Sequence, residues 1–195
     1  MRQLYIAFRM SMVPWLFAFA FFFGAEVVAE SPHPFVPESF TAPAVMENEK
    51  FRLRALTVND VVKDYDAVVS SASHIKEVFP GSQWPTGLTL EQNFIDLGWH
   101  QKEFQRSRSF AYTVVDLDES RVIGCVYIDP TRKVGFDAEI YLWTWPPEQV
   151  SYINEDILRA TVKQWLKKEW PFKAPVFPGS DISWEKWGAV AESKR

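Results

Sequence analysis

The sequence predicts an α/β (α+β) fold, a mixed and mostly antiparallel sheet flanked by helices. Three observations predict it. Residues 109–117, 121–128 and 136–145 are successive runs rich in Val, Ile, Tyr and Phe, separated by polar turns. Helical stretches with capping signals precede and follow them. The 195 residues, 47% apolar, are enough for one domain with a sizeable core.

Residues 1–29 read as a segment apart from the fold. Arg2 and Arg9 precede an almost wholly apolar run at 13–23, and Val27, Val28 and Ala29 follow it. That is the pattern of a secretory signal peptide. The apolar run is short for a membrane span of about 20 residues, so membrane association is expected only through residues 1–29, if they stay uncleaved. The expected location is periplasmic or extracellular if this signal is real, and cytoplasmic otherwise. An anchor, or a true start at Met46, are the other readings. Residues 30–50 hold Pro32, Pro34, Pro37 and Pro43 and read as an arm or linker pinned by Phe35, Val36 and Phe40. Residues 51–190 form the domain and 191–195 a frayed tail.

Within the domain, residues 51–56 alternate as a first strand. Thr57 and Asp60 form a capping box for a helix whose buried stripe is expected to be Val58, Val61, Val62, Tyr65, Val68 and Val69. A short helix follows near 73–78. Thr89 and Gln92 cap the next, with Leu90, Phe94, Leu97 and Phe104 on its inner face, widened by Ile95 and Trp99. The hairpin and third strand come next. In 136–145, Phe136, Ala138, Ile140 and Leu142 share one face, and Asp137, Glu139, Tyr141 and Trp143 the other. Pro146 and Pro147 end that strand. Asn154 caps a helix buried through Leu158, Val162, Trp165 and Leu166. A short strand at 174–177 and a Trp-rich segment at 182–187 close the domain.

The net charge of −4 gives no electrostatic reason to expect nucleic acid. Cys125 stands alone mid-strand and reads as a small buried hydrophobe. No histidine has a second ligand at metal-binding spacing, so no metal is expected. His33 lies in the arm, His74 carries little signal, and His100 reads as a structural or exposed histidine.

The element order, with the texts FRLRALTVNDVVKDYDAVVSS, LTLEQNFIDLGWHQKEFQRSRSFAYTVVD, RVIGCVYIDP and FPGSDISW, resembles the GCN5-related N-acetyltransferase (GNAT) superfamily. More narrowly it looks like a bacterial subgroup that shares these stretches. The resemblance covers roughly residues 35–187. It implies a strand at 136–145 that splays from its neighbour, with the backbone of Leu142, Trp143 and Thr144 pairing with the pantetheine arm of acetyl-CoA. It implies a pyrophosphate loop at Gln149, Val150, Ser151, Tyr152, Ile153 and Asn154 before the next helix. Gln149 agrees with the family pattern. Tyr152 and Asn154 stand where glycine or alanine is expected, and Glu155 and Asp156 add negative charge. The resemblance also implies Glu139 as general base, with Asp137 as second choice and Tyr141 as a neighbouring donor. The acid for the leaving thiolate is unassigned, Ser180 and Ser183 being the polar residues in that region.

Two functions follow. One is an N-acetyltransferase using acetyl-CoA on an unidentified small-molecule amine. The other is a non-catalytic exported protein that kept the fold and binds a small ligand or protein partner in the same cleft, with Trp143, Trp145, Tyr152 and Trp184 as candidate lining. The glycine-free loop and the export signal favour the second; the likeness of the rest favours the first.

Overall fold

A computed structural model describes residues 34–193. In chain order they form β1 (Val45–Glu47), β2 (Phe51–Ala55), a 3₁₀ turn at Val58–Asp60, α1 (Val61–Ser70), α2 (Ala72–Val78), α3 (Leu90–Gln105), β3 (Phe110–Asp116), β4 (Val122–Asp129), β5 (Ala138–Thr144), α4 (Glu155–Glu169), β6 (Pro175–Val176) and α5 (Trp184–Ala189). The six strands lie side by side in sequence order. Every neighbouring pair is antiparallel except β5 and β6, which run parallel. A mixed, mostly antiparallel sheet flanked by helices is the fold class the sequence predicts. No helix among the described residues is long and apolar enough to cross a membrane. The expected signal segment at 1–29 lies outside the described residues.

The sheet has a core on each face. On one, α4 lays Leu158, Val162, Trp165 and Leu166 over Phe110, Tyr112, Ile140 and Leu142. On the other, Ala67, Val68, Ile75 and Leu97 of α1, α2 and α3 cover Ala111, Val115, Cys125 and Trp143. The period-two alternation of β5 sorts its residues between these layers. Ala138, Ile140 and Leu142 enter the α4 core, while Trp143 is fully buried in the other. Gly124 of β4 lets the two strands close up, because a Cβ there would strike the Trp143 carbonyl.

The predicted caps are present. Thr57 and Asp60 form a capping box, Thr89 Oγ1 accepts from Gln92 N–H at 3.2 Å, and Asn154 Oδ1 accepts from Ile157 N–H at 2.9 Å. Two buried stripes differ from expectation. In α1, Val62 and Val69 are exposed, and Asp64, Ala67 and Val68 turn inward. In α3, Leu90, Phe94, Ile95 and Trp99 are exposed, and Asn93, Leu97 and Glu103 are buried. The cause is a buried polar contact: Asn93 Nδ2 donates to Asp64 Oδ2 at 2.9 Å, joining the helices where a hydrophobic pattern seeks apolar residues. The arm also differs, since 45–47 form an edge strand on β2. Val36 is buried, and Phe35 stacks on Phe110 at 5.8 Å. The closing segment contains a helix, α5. Beyond it the chain docks through Val134 N–H to Ala191 O and Ser193 N–H to Arg132 O, both 2.9 Å.

Candidate functional site at the open edge of β5

Strand β6 pairs with β5 only at Ala138 and Glu139. Past that point the chain turns away through Pro178 and Gly179, and the rest of β5 has an open edge. The direction of its backbone groups follows from two bonds. Trp145 N–H donates to Ile123 O on the β4 side at 2.9 Å, and Thr144 N–H points the other way to Glu155. Alternate residues face alternate edges, so the N–H and C=O of Leu142 also face the opening. A cleft of about 440 Å³ lies there, bounded by Ile140, Tyr141 and Leu142, by Phe177, Pro178 and Gly179, and by Glu155 and Arg159 of α4.

A second cavity, about 570 Å³, lies on the α1–α3 side of the sheet. Phe79, Trp84, Trp99, Tyr127, Tyr141 and Trp184 supply aromatic surface, and Asp64, Asp96, Asp129 and His100 supply polar groups. Both cavities are lined by Phe79, Pro80, Tyr141 and Trp184. Tyr141 stands at their junction, its ring parallel to Trp184 at 6.1 Å and edge-on to Phe79 at 6.2 Å. Gly179 permits this stack: its φ is +82°, and a Cβ there would lie 2.5 Å from the Trp184 indole nitrogen.

The β4–β5 register sets three facing pairs on the cavity side: Cys125 with Trp143, Tyr127 with Tyr141, and Asp129 with Glu139. Burial, then the nearby Glu139 charge, pushes the Asp129 carboxyl up to about 6. Burial also raises Glu139, against the Thr131 and Tyr141 hydroxyls beside it. The Tyr141 hydroxyl is pushed up to about 12 by burial and by Glu139, and so keeps its proton at neutral pH. Asp64 rises to about 6 through burial, opposed by the Asn93 bond. His100 is lowered to about 4 by burial and is neutral at pH 7. The junction therefore holds a proton donor, Tyr141, beside carboxylates poised to accept one.

The remaining expected residues divide. Thr144 bonds Glu155 and Asn154 caps α4, and neither lines the cleft. Trp143 is fully buried, so only its backbone belongs to the strand edge. Val150 and Ile153 are buried in the α4 core, while Gln149 and Ser151 are exposed and Tyr152 is half-buried. Asp137, the second-choice base, accepts the N–H groups of Lys173 (2.6 Å) and Ala174 (3.1 Å) and serves the β6 turn. Ser183 caps α5, and Ser180 lines the cleft.

The resemblance noted in the sequence implies coenzyme A, whose two halves would meet different surroundings here. The open edge at Leu142 suits the amide-bearing arm of a pantetheine thioester. The N-terminus of α4 does not suit a diphosphate, because the Glu155 carboxylate stands in its first turn. Glu155 Oε1 accepts from Thr144 N–H (2.9 Å), Thr144 Oγ1 (2.9 Å) and His74 Nε2 (2.7 Å). Burial pushes this carboxyl up, but the bonds from His74 and Thr144 outweigh it and hold it below its ordinary value. Asn154 takes a further helix donor, and the loop from 146 to 154 contains no glycine.

Asp64 and Asp129 were not named as site residues from the sequence, His100 was read as a structural or exposed histidine though the one of most interest, and His74 as carrying less signal. Asp129 was within reach of the sequence, since pairing 121–128 with 136–145 in the observed register puts Asp129 opposite Glu139. Turn composition alone does not fix that register.

No protein-family model matches the chain, and no curated protein does. Solved structures do resemble it. A probable acetyltransferase shares 12% identity over 68% of this chain and 72% of its own, with a TM-score of 0.54. The microcin C7 self-immunity acetyltransferase MccE, solved in complex with acetyl-CoA and AMP, shares 10% identity over 65% of this chain and 67% of its own, at 0.51. A ribosomal-protein-S5-alanine acetyltransferase from Vibrio fischeri shares 17% identity over 64% and 68%, at 0.50. Element order, the opened strand pair and these likenesses agree on one fold: the chain is folded like these acetyltransferases.

Proposed function

We propose that this chain is an N-acyltransferase that moves an acyl group from a pantetheine thioester in the β5 cleft to a small amine in the larger cavity. The observation that carries the reading is the position of Tyr141, whose ring lines both spaces. A bound thioester would supply the electrophilic carbonyl. The chain's own residues do the rest. Leu142 offers one N–H and one C=O to align the arm as an added strand. Asp129 and Glu139, both raised, take the proton of the attacking amine. Tyr141 donates its proton to the leaving sulfur, with Glu139 beside it to restore the balance. The aromatic walls surround the transferring groups with apolar surface.

Acetyl-CoA is the donor the fold suggests, and Glu155 opposes its diphosphate. Calorimetric titration with acetyl-CoA and with acetyl-pantetheine, which lacks the nucleotide, tests the reading. Both are expected to bind, with the shorter donor no weaker than acetyl-CoA. Absence of binding by both at millimolar concentration overturns it. The Glu155 contact also favours the second reading, a binding protein that kept the fold without turnover, and that result would leave it standing. Residues 1–29 are proposed as an export signal; protein recovered from its host should begin at Glu30, and full-length cytosolic protein would end that claim.

A further inference from the structure

We infer that the larger cavity is a site for a hydrophobic organic cation, a primary ammonium on an aromatic or branched hydrocarbon body with no carboxylate of its own. The inference deepens the acyl-transfer reading and rests on it only for the fate of the bound amine.

Charge complementarity argues for it. The ionisable groups around the cavity are Asp64 from α1, Asp96 and His100 from α3, Tyr127 and Asp129 from β4, and Tyr141 from β5. At neutral pH the histidine and both tyrosines are uncharged, while Asp64 and Asp129, each raised to about 6, are mainly ionised. No Lys or Arg is among the residues lining it. Lys133, whose charge acts on Glu139, is bonded to Val190 O and Glu192 and does not line the cavity. A cation is attracted and an anion is repelled.

The burial of these acids sharpens the point. Asp64 is almost fully buried, and its bonds come from a neutral amide and a distant thiol, Asn93 Nδ2 at 2.9 Å and Cys125 Sγ at 3.9 Å. Asp129 has no ion-pair or hydrogen-bond partner among the described residues, and its nearest charged influence is the like charge of Glu139. Carboxylates kept in apolar surroundings without a cation destabilise a fold, and a bound ammonium would neutralise that cost. The walls specify the rest of the ligand. Trp84, Trp99, Tyr127 and Trp184 offer ring faces to a hydrocarbon body and, near the charge, to the cation itself. With no cationic side chain to meet a carboxylate, an amino acid is rejected where its decarboxylated amine is accepted.

The test compares phenethylamine with phenylalanine, and tryptamine with tryptophan, by calorimetry on the whole chain without any thioester. The amines are expected to bind at least about tenfold more tightly than the amino acids, and Asp129→Asn to weaken amine binding at least about tenfold. A folding control accompanies it. The folded-state pKa of Asp129, about 6, lies above its ordinary value of 3.8, so its ionisation lowers stability as pH rises between them. Asp129→Asn should therefore raise the thermal midpoint at pH 7 by about 2–4 °C, a gain that vanishes below about pH 4. Equal binding of amine and amino acid, or amine binding unchanged in Asp129→Asn, overturns the inference. Amine binding without acyl transfer supports the inference and removes only the catalytic reading. Acyl transfer to another acceptor, with these amines unbound, removes only the inference.

Discussion

Tyr141→Phe is expected to lower kcat about 10²- to 10⁴-fold with KM for the amine nearly unchanged, the range for loss of a positioned proton donor. The substitution removes one hydroxyl and keeps the ring, so the stack on Trp184 and the edge contact with Phe79 persist. On the proposed reading the hydroxyl matters because leaving sulfur and attacking nitrogen would meet at this residue, which lines both cavities. Its raised pKa keeps it protonated until charge develops on sulfur. Glu139→Gln should lower kcat less, since Asp129 remains as a second acceptor, and should flatten the acid limb of the pH profile. Steady-state kinetics of both variants from pH 5 to 9 check this. A Tyr141→Phe enzyme with wild-type kcat removes the assigned role.

Glu155→Ala is expected to tighten acetyl-CoA about tenfold or more while changing acetyl-pantetheine little. Removing the carboxylate deletes a like charge at the diphosphate position, worth a few kcal/mol at close range in a half-buried setting. It also frees Thr144 N–H. The same change should cost about 1–3 kcal/mol of stability, because Glu155 Oε1 holds β5, α2 and α4 together through Thr144 and His74. That contribution has a pH signature. The Glu155 carboxyl is held below its ordinary 4.5, so its stabilisation is present above that value and is lost as pH falls through the lower folded one. Titration with both donors and acid unfolding of both proteins provide the check. Equal tightening of the two donors would show that Glu155 obstructs the arm and not the diphosphate.

Much of the fold was legible because its signals are local. Thr57, Thr89 and Asn154 each stand at a helix start with their capping geometry, and β5 alternates as its sequence does. The misreadings share a cause in long-range polar contacts. Asp64 and Asn93 are 29 residues apart and bury each other, which turns Val62, Phe94 and Ile95 outward against the rule that apolar residues go inside. The edge strand at 45–47 is three residues long and lacks alternation, so only its partner β2 reveals it. In the site, Tyr141, Glu139 and Leu142 could be named from the strand and its resemblance. The acids that line the larger cavity with Tyr141 were harder to name, because Asp64, Asp96 and Asp129 come from α1, α3 and β4 and meet only in the folded chain. The missing glycines at 146–154 were visible from the start. What the sequence did not show is that Glu155 ties the start of α4 to Thr144 and His74.

Transfer itself is the most direct test of the account. The chain is incubated with acetyl-pantetheine and phenethylamine, free thiol is followed with a chromogenic reagent, and product is followed by mass. The sole cysteine, Cys125, is fully buried, so the folded chain should contribute little background thiol. The account predicts one thiol released per N-acetylated amine, at a rate that collapses in Tyr141→Phe and does not require the nucleotide of coenzyme A. No acetylated amine above the uncatalysed rate, from acetyl-pantetheine or from acetyl-CoA at millimolar concentration, would contradict it.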